Sequence, residues 1–118
     1  LLKSEVLLAT GRTDESTKIL RSLVEKHPLE GKALIMLAQM AWNKQDFATA
    51  SLYFERSSKI AKWEVESLVQ HGRMLVETKN YEKAVRLLER AESIEPQPRV
   101  NRFLESIRNL LLSSRVRL

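Results

Sequence analysis

The sequence predicts an all-α protein made of repeated antiparallel helix pairs. Three observations carry that reading. Apolar residues recur at three- and four-residue intervals, the spacing of one helix face. Only three glycines and three prolines interrupt the 118 residues, and strand-forming residues do not cluster. The apolar pattern also returns at a fixed 34-residue step, with no gap needed.

The step is read from aligned positions. Phe47 and Tyr81 are one step apart, as are Ala50 and Ala84, Phe54 and Leu88, Ile60 and Ile94, Leu34 and Leu68, and Ala38 and Gly72. Pro28 and Pro96 are two steps apart. One step back, Phe47 leads to Thr13, Ala50 to Ser16 and Phe54 to Leu20. A single helix pair of this length cannot bury its apolar faces alone, so such units stack in arrays. The clearest copy runs from Glu64 to Pro96.

Helices are expected over about 1–10, 14–27, 32–44, 47–61, 65–78, 81–94 and 98–112, each boundary within about 2–4 residues. The first ends at Gly11, which suits a left-handed helix terminus. Thr13, Asp14 and Glu15 open the second, where the helix dipole favours negative charge. Leu34, Leu37, Ala38 and Ala41 form the stripe of the third. Asn43, Lys44, Gln45 and Asp46 make a polar turn, and Asp46 is placed to cap the fourth helix. That helix carries Phe47, Ala50, Phe54, Ser57 and Ile60. Asn80 takes the capping role for the sixth, with Glu82 in its first turn. Ala38 and Gly72 are placed where the first helix of a pair crosses the second, opposite Ala50 and Ala84. Phe54 and Leu88 then fill the wider gap one turn later. The last helix has a stripe of Val100, Phe103, Leu104, Ile107, Leu110 and Leu111, but Ser106 and Asn109 stand in the small and aromatic slots.

This 34-residue helix–turn–helix resembles the tetratricopeptide repeat. The residues that carry the likeness are Ala50 with Phe54 four positions on, Gly72 in the small slot, Tyr81 to Ala84, and Ile94 to Pro96. His71 departs from the family's usual Leu, and Lys62 stands where its closing Pro belongs. The resemblance implies an α-solenoid of about three repeat units plus a C-terminal helix. Residues 1–30 form a partial first repeat, 31–64 the second and 65–98 the third. Residues 99–118 form a capping helix or the start of a diverged fourth.

Enzymatic chemistry finds no support. With no Cys, there is no disulfide, thiolate metal site or cysteine nucleophile. Gly11, Gly31 and Gly72 are too far apart for a phosphate-binding loop. His27 precedes Pro28 in a loop and reads as solvated; His71 reads as an interior histidine. Glu64 with Glu66, and Asp14 with Glu15, read as solvated charges at helix starts. No cofactor or metal motif is present, and no run approaches the roughly 18 apolar residues of a membrane span. The chain opens on Leu1 rather than Met and reads as a piece of a longer array. Its apolar ends, Leu1, Leu2 and Val6 at one and Leu110, Leu111 and Leu112 at the other, invite neighbouring repeats or self-association.

The resemblance implies binding of another protein, as a peptide, a helix or a folded domain, in a groove lined by the first helix of each pair. By position that face takes Glu5 and Leu8 in the first unit. It takes Lys32, Ile35, Gln39, Trp42 and Asn43 in the second, and Glu66, Val69, Arg73, Val76 and Glu77 in the third. Trp42 reads either as a partly exposed anchor or as a ring tucked between repeats. The clamp with which some members grip the carboxylates of chaperone tails would fall on Leu1, Glu5, Met36, Glu66 and Gln70. These supply no cation, which disfavours such tails.

The formal net charge is +5 with a pI near 9.7. From residue 99 onward Arg99, Arg102, Arg108, Arg115 and Arg117 face Glu105 alone, five against one, a local charge of +4. That tail suits an acidic partner. No aromatic platform interleaves the arginines, which disfavours nucleic acid. The degenerate repeats also resemble those of bacterial periplasmic scaffolds in exopolysaccharide export, such as the Pel and alginate outer-membrane systems, which recruit a polysaccharide-modifying enzyme. The alternatives are a cytosolic assembly or regulatory adaptor and an RNA-binding helical repeat.

Overall fold

The computed structural model describes residues 13–116, with side chains described from 14 to 113. Among them are six α-helices and no strand: α1 Thr13–Lys26, α2 Gly31–Asn43, α3 Phe47–Ser58, α4 Glu64–Glu77, α5 Tyr81–Ile94 and α6 Pro98–Val116. A short 3-10 turn, Ala61–Trp63, follows α3. The helix expected over residues 1–10, its Gly11 terminus, and the face residues Glu5 and Leu8 lie outside the described residues. The chain divides into two compact units, with the boundary between Trp63 and Glu64.

In the first unit α2 is the central element. It buries Gly31, Ala33 to Ala38, Met40 and Ala41, most of its circumference, because α1 and α3 both pack on it. α1 contributes Leu20 and Val24, one turn apart, to the cluster of Leu34, Leu37 and Met40. α3 buries only a stripe of Ala50, Phe54 and Ser57. The Ser57 hydroxyl donates to the Phe54 carbonyl at 3.0 Å, so this polar residue enters the core without an unmet hydrogen bond.

In the second unit α4 buries Ser67, Leu68, His71, Gly72, Met74 and Leu75, and α5 buries Ala84, Leu88 and Ala91. α6 packs on α5, joining Val100, Leu104 and Ile107 to Leu88 in one cluster. The repeat step is visible in burial. Ser16, Ala50 and Ala84 are all 0% exposed, and so are Leu20, Phe54 and Leu88. Each burial of a Leu or Phe side chain is worth about 1.5–3 kcal/mol.

The crossing of the second pair differs from the expected one. Leu88 does not fill a gap a turn away from Gly72; it lies over Gly72 itself. A Cβ added there would sit 2.9 Å from both Leu88 Cγ and Leu88 Cδ2. The absent side chain is therefore the space that Leu88 occupies.

The turns within the two helix pairs, α2–α3 and α4–α5, share one device. After α2, Gln45 adopts a left-handed backbone with φ 61°; one repeat step on, Lys79 does so with φ 64°. Asp46 N–H donates to the Ala41 carbonyl at 2.9 Å and Gln45 N–H to the Trp42 carbonyl at 2.8 Å. Asn80 N–H to the Leu75 carbonyl and Lys79 N–H to the Val76 carbonyl repeat the pattern at 2.8 and 3.0 Å. These paired bonds define a Schellman motif, in which the left-handed residue is usually glycine.

The expected caps divide. Asp46 Oδ1 accepts the Thr49 N–H at 3.2 Å, as expected of a cap. The Asn80 side chain makes no capping bond. There the main chain holds the junction, with Asn80 N–H turned back to Leu75 and its carbonyl accepting from Ala84 N–H at 3.1 Å. α3 also stops at Ser58 rather than near 61. The chain then tightens into three-residue bonds, Ile60 N–H to the Ser57 carbonyl and Trp63 N–H to the Ile60 carbonyl. This brings the Trp63 indole onto the start of α2. A Cβ on Gly31 would fall closest to Trp63 Cδ1 and only 2.6 Å from Cγ.

Substitutions at Gly31 and Gln45 test these contacts. Gly31→Ala gains about 1 kcal/mol of helix propensity but loses about 1–3 kcal/mol to overpacking, so chemical denaturation should show net destabilisation. In a Trp63→Ala background the same substitution should cost nothing. Gln45→Gly should raise the thermal midpoint, because a side chain in the left-handed region costs about 1–2 kcal/mol, and Gln45→Val should lower it.

Candidate protein-binding surface

Helical geometry presents one polar stripe on the first helix of each pair. On α2, Lys32, Gln39 and Asn43 are exposed; on α4, Glu66, Arg73 and Glu77 are exposed. Within each triplet the steps are seven and four residues, which brings all three to the same helix face. Residue by residue the two triplets are one repeat step apart. Gln70 adds to the second stripe, where its Nε2 donates to Glu66 Oε1 at 3.0 Å.

The apolar members expected on these faces are used differently. Ile35 is buried, 4% exposed, so it serves the packing of α2 rather than an open surface. Trp42 is half-buried and meets Phe54 edge-on, with ring centroids 6.4 Å apart and planes at 75°. That contact lies within its own helix pair. Val69 and Val76 are half-buried against the cluster of Leu88, Val100, Leu104 and Ile107. An apolar strip of α4 is thus occupied by the packing to which α6 contributes, and a polar edge remains.

The arginine tail is only partly an open patch. Arg99 and Arg102 are exposed. Arg108 donates to Glu89 Oε2 at 2.8 Å and to Glu105. Those bonds, Glu89 first, push the guanidinium pKa above its ordinary value. Arg108 therefore joins α5 to α6 rather than standing ready for a partner. The Arg115 side chain and Arg117 lie outside the described residues. On α6, Leu110 and Leu112 are 52% and 57% exposed.

His27 is exposed in the loop before α2, and His71 is buried at 3%. Among the described residues no group of three or more His, Asp or Glu side chains is placed to hold a metal ion. No helix among them is long and apolar enough to cross a membrane.

Comparison with known proteins agrees with the repeat reading. Residues 65–98 match the family model described as tetratricopeptide repeat. No curated protein matches the chain. Among solved structures, the chain is similar to the N-terminal domain of stress-induced protein-1 from C. elegans, with a TM-score of 0.80 at 11% identity over 89% of this chain and 88% of that one. It is also similar to the first tetratricopeptide domain of Spaghetti (RPAP3) bound to the HSP90 peptide SRMEEVD, with a TM-score of 0.80 at 17% identity over 93% and 88%. None of these matches points to exopolysaccharide export. The family model identifies residues 65–98 as one tetratricopeptide repeat, and the solved structures share the fold, helix pairs of the α-solenoid class.

Proposed function

We propose that the chain is a non-enzymatic interaction scaffold in which each unit offers another protein a polar stripe, that of α2 in the first and that of α4 in the second. The observation that carries this is the equivalence of the stripes. Lys32, Gln39 and Asn43 stay exposed on a helix buried almost everywhere else, and Glu66, Arg73 and Glu77 do so one repeat step on. Core packing alone asks nothing of such a face. A surface that binds needs polar groups held on a rigid element.

The partner of the RPAP3 domain is an acidic peptide. The corresponding reading for this chain is different. Of the positions implied for a carboxylate clamp, Met36 is buried, and Glu66 already accepts from Gln70. A carboxylate brought to Glu66 would meet another carboxylate. We therefore assign the stripes to a neutral or mixed-charge segment, not to an acidic chaperone tail. Placement in exopolysaccharide export has no residue and no relative behind it; a polysaccharide-modifying enzyme is one of the folded partners a capture experiment would reveal.

Gln39→Arg and Arg73→Glu test the proposal, because both positions are exposed and should shift stability by no more than about 0.5 kcal/mol. A partner captured by the unaltered chain should be lost from the double variant, with the thermal midpoint unchanged. Retention of the partner would place binding elsewhere.

A further inference from the structure

The first unit carries a feature that the stripes do not use. A crevice of about 60 Å³ opens where α1, α2 and α3 meet, with Thr17 and Arg21 from α1, Lys44 from the turn after α2, and Thr49 and Tyr53 from α3. That is room for about four waters, or for the carboxylate end of one side chain. Thr49 and Tyr53 also border a second, shallower recess that continues along α3 past Leu52, Glu55, Arg56 and Lys59. The two form one continuous surface.

Its lining carries four cations, Arg21, Lys44, Arg56 and Lys59, against two acids, Asp46 and Glu55. Among the described residues no carboxylate pairs with Arg21, Arg56 or Lys59. Arg56 lies over the Tyr53 ring, 5.8 Å from its centroid, which leaves its charge unneutralised. Lys44 touches Asp14 at 3.4 Å, but both side chains are largely exposed, a pairing that yields readily to a competitor. Asp46, the acid at the crevice, is engaged with the Thr49 N–H. Beside these side chains Leu52 is 62% exposed.

We propose that this outer face of α1 and α3 is a second docking surface, for an acidic peptide segment that also carries large apolar side chains. The acid enters the crevice between Arg21 and Lys44, further acids meet Arg56 and Lys59, and an apolar side chain covers Leu52. Such a segment neutralises the four cations and removes Leu52 from water together. The surface is distinct from the stripes of α2 and α4, so a scaffold of this kind would hold two partners, or two parts of one.

A fluorescein-labelled ten-residue peptide of alternating glutamate and leucine is the probe, titrated into the full 118-residue chain by fluorescence anisotropy. The unaltered chain should bind it. Arg21→Glu with Lys59→Glu should weaken binding at least about tenfold, because both change the contact charges. Arg99→Glu with Arg102→Glu, the same charge change on the second unit, should leave affinity within about twofold. Leu52→Ser should also weaken it, and Arg73→Glu should not, which separates this surface from the stripes. The proposal fails if the probe does not bind, if the two charge-reversed pairs lose affinity equally, or if Leu52→Ser has no effect. It fails equally if a single-stranded RNA ten-mer binds more tightly at the same salt.

Discussion

The close approach of Leu88 to Gly72 is the contact on which the second pair depends. Two helices joined by a three-residue turn can bury a continuous face only if one yields volume where the other inserts it. Gly72 yields it and Leu88, fully buried, takes it. The repeat step places Ala38 and Phe54 in the same roles in the first unit. Interiors are packed to near-crystalline density, so a side chain inserted at such a crossing fixes the separation of the helices. Once that separation is set, the rest of each pair has little freedom, and the polar residues of the first helix are held in place on its outer side.

The two units use this common plan for different balances of packing and exposure. α2 is enclosed by helices on two sides and keeps only a narrow polar stripe. α4 shares its apolar face with the cluster that α6 completes, and that cluster also takes Val69 and Val76. Rigid support with a polar edge left over suits the proposed recognition of another protein.

Much of this was legible in the sequence, because burial in a repeat is periodic and the period can be counted. Ser16, Ala50 and Ala84, like Leu20, Phe54 and Leu88, were aligned by spacing alone, and all proved fully buried. The helix bounds followed to within a few residues. Features that depend on one neighbour rather than on the period were not legible. Gln45 and Lys79 hold left-handed positions usually given to glycine, so their residue types conceal the turn; only their spacing by one repeat step hints at it. Trp63 on Gly31 arises because α3 ends early and the chain tightens, which no local pattern announces. Ile35 satisfied the spacing of an open face, yet packing took it, because spacing gives a side chain's direction and not what stands there. Arg108 looked like part of a basic patch until Glu89, nineteen residues earlier, came beside it.

The central claim is that Gly72 is small because Leu88 occupies its place. A double-mutant cycle in chemical denaturation tests it directly. Gly72→Ala alone should destabilise the chain, despite the better helix propensity of alanine. In the Leu88→Ala background the same substitution should be neutral or stabilising, a coupling of at least about 1 kcal/mol. If Gly72→Ala has the same effect in both backgrounds, the two residues do not share that space and the account of the pair is wrong.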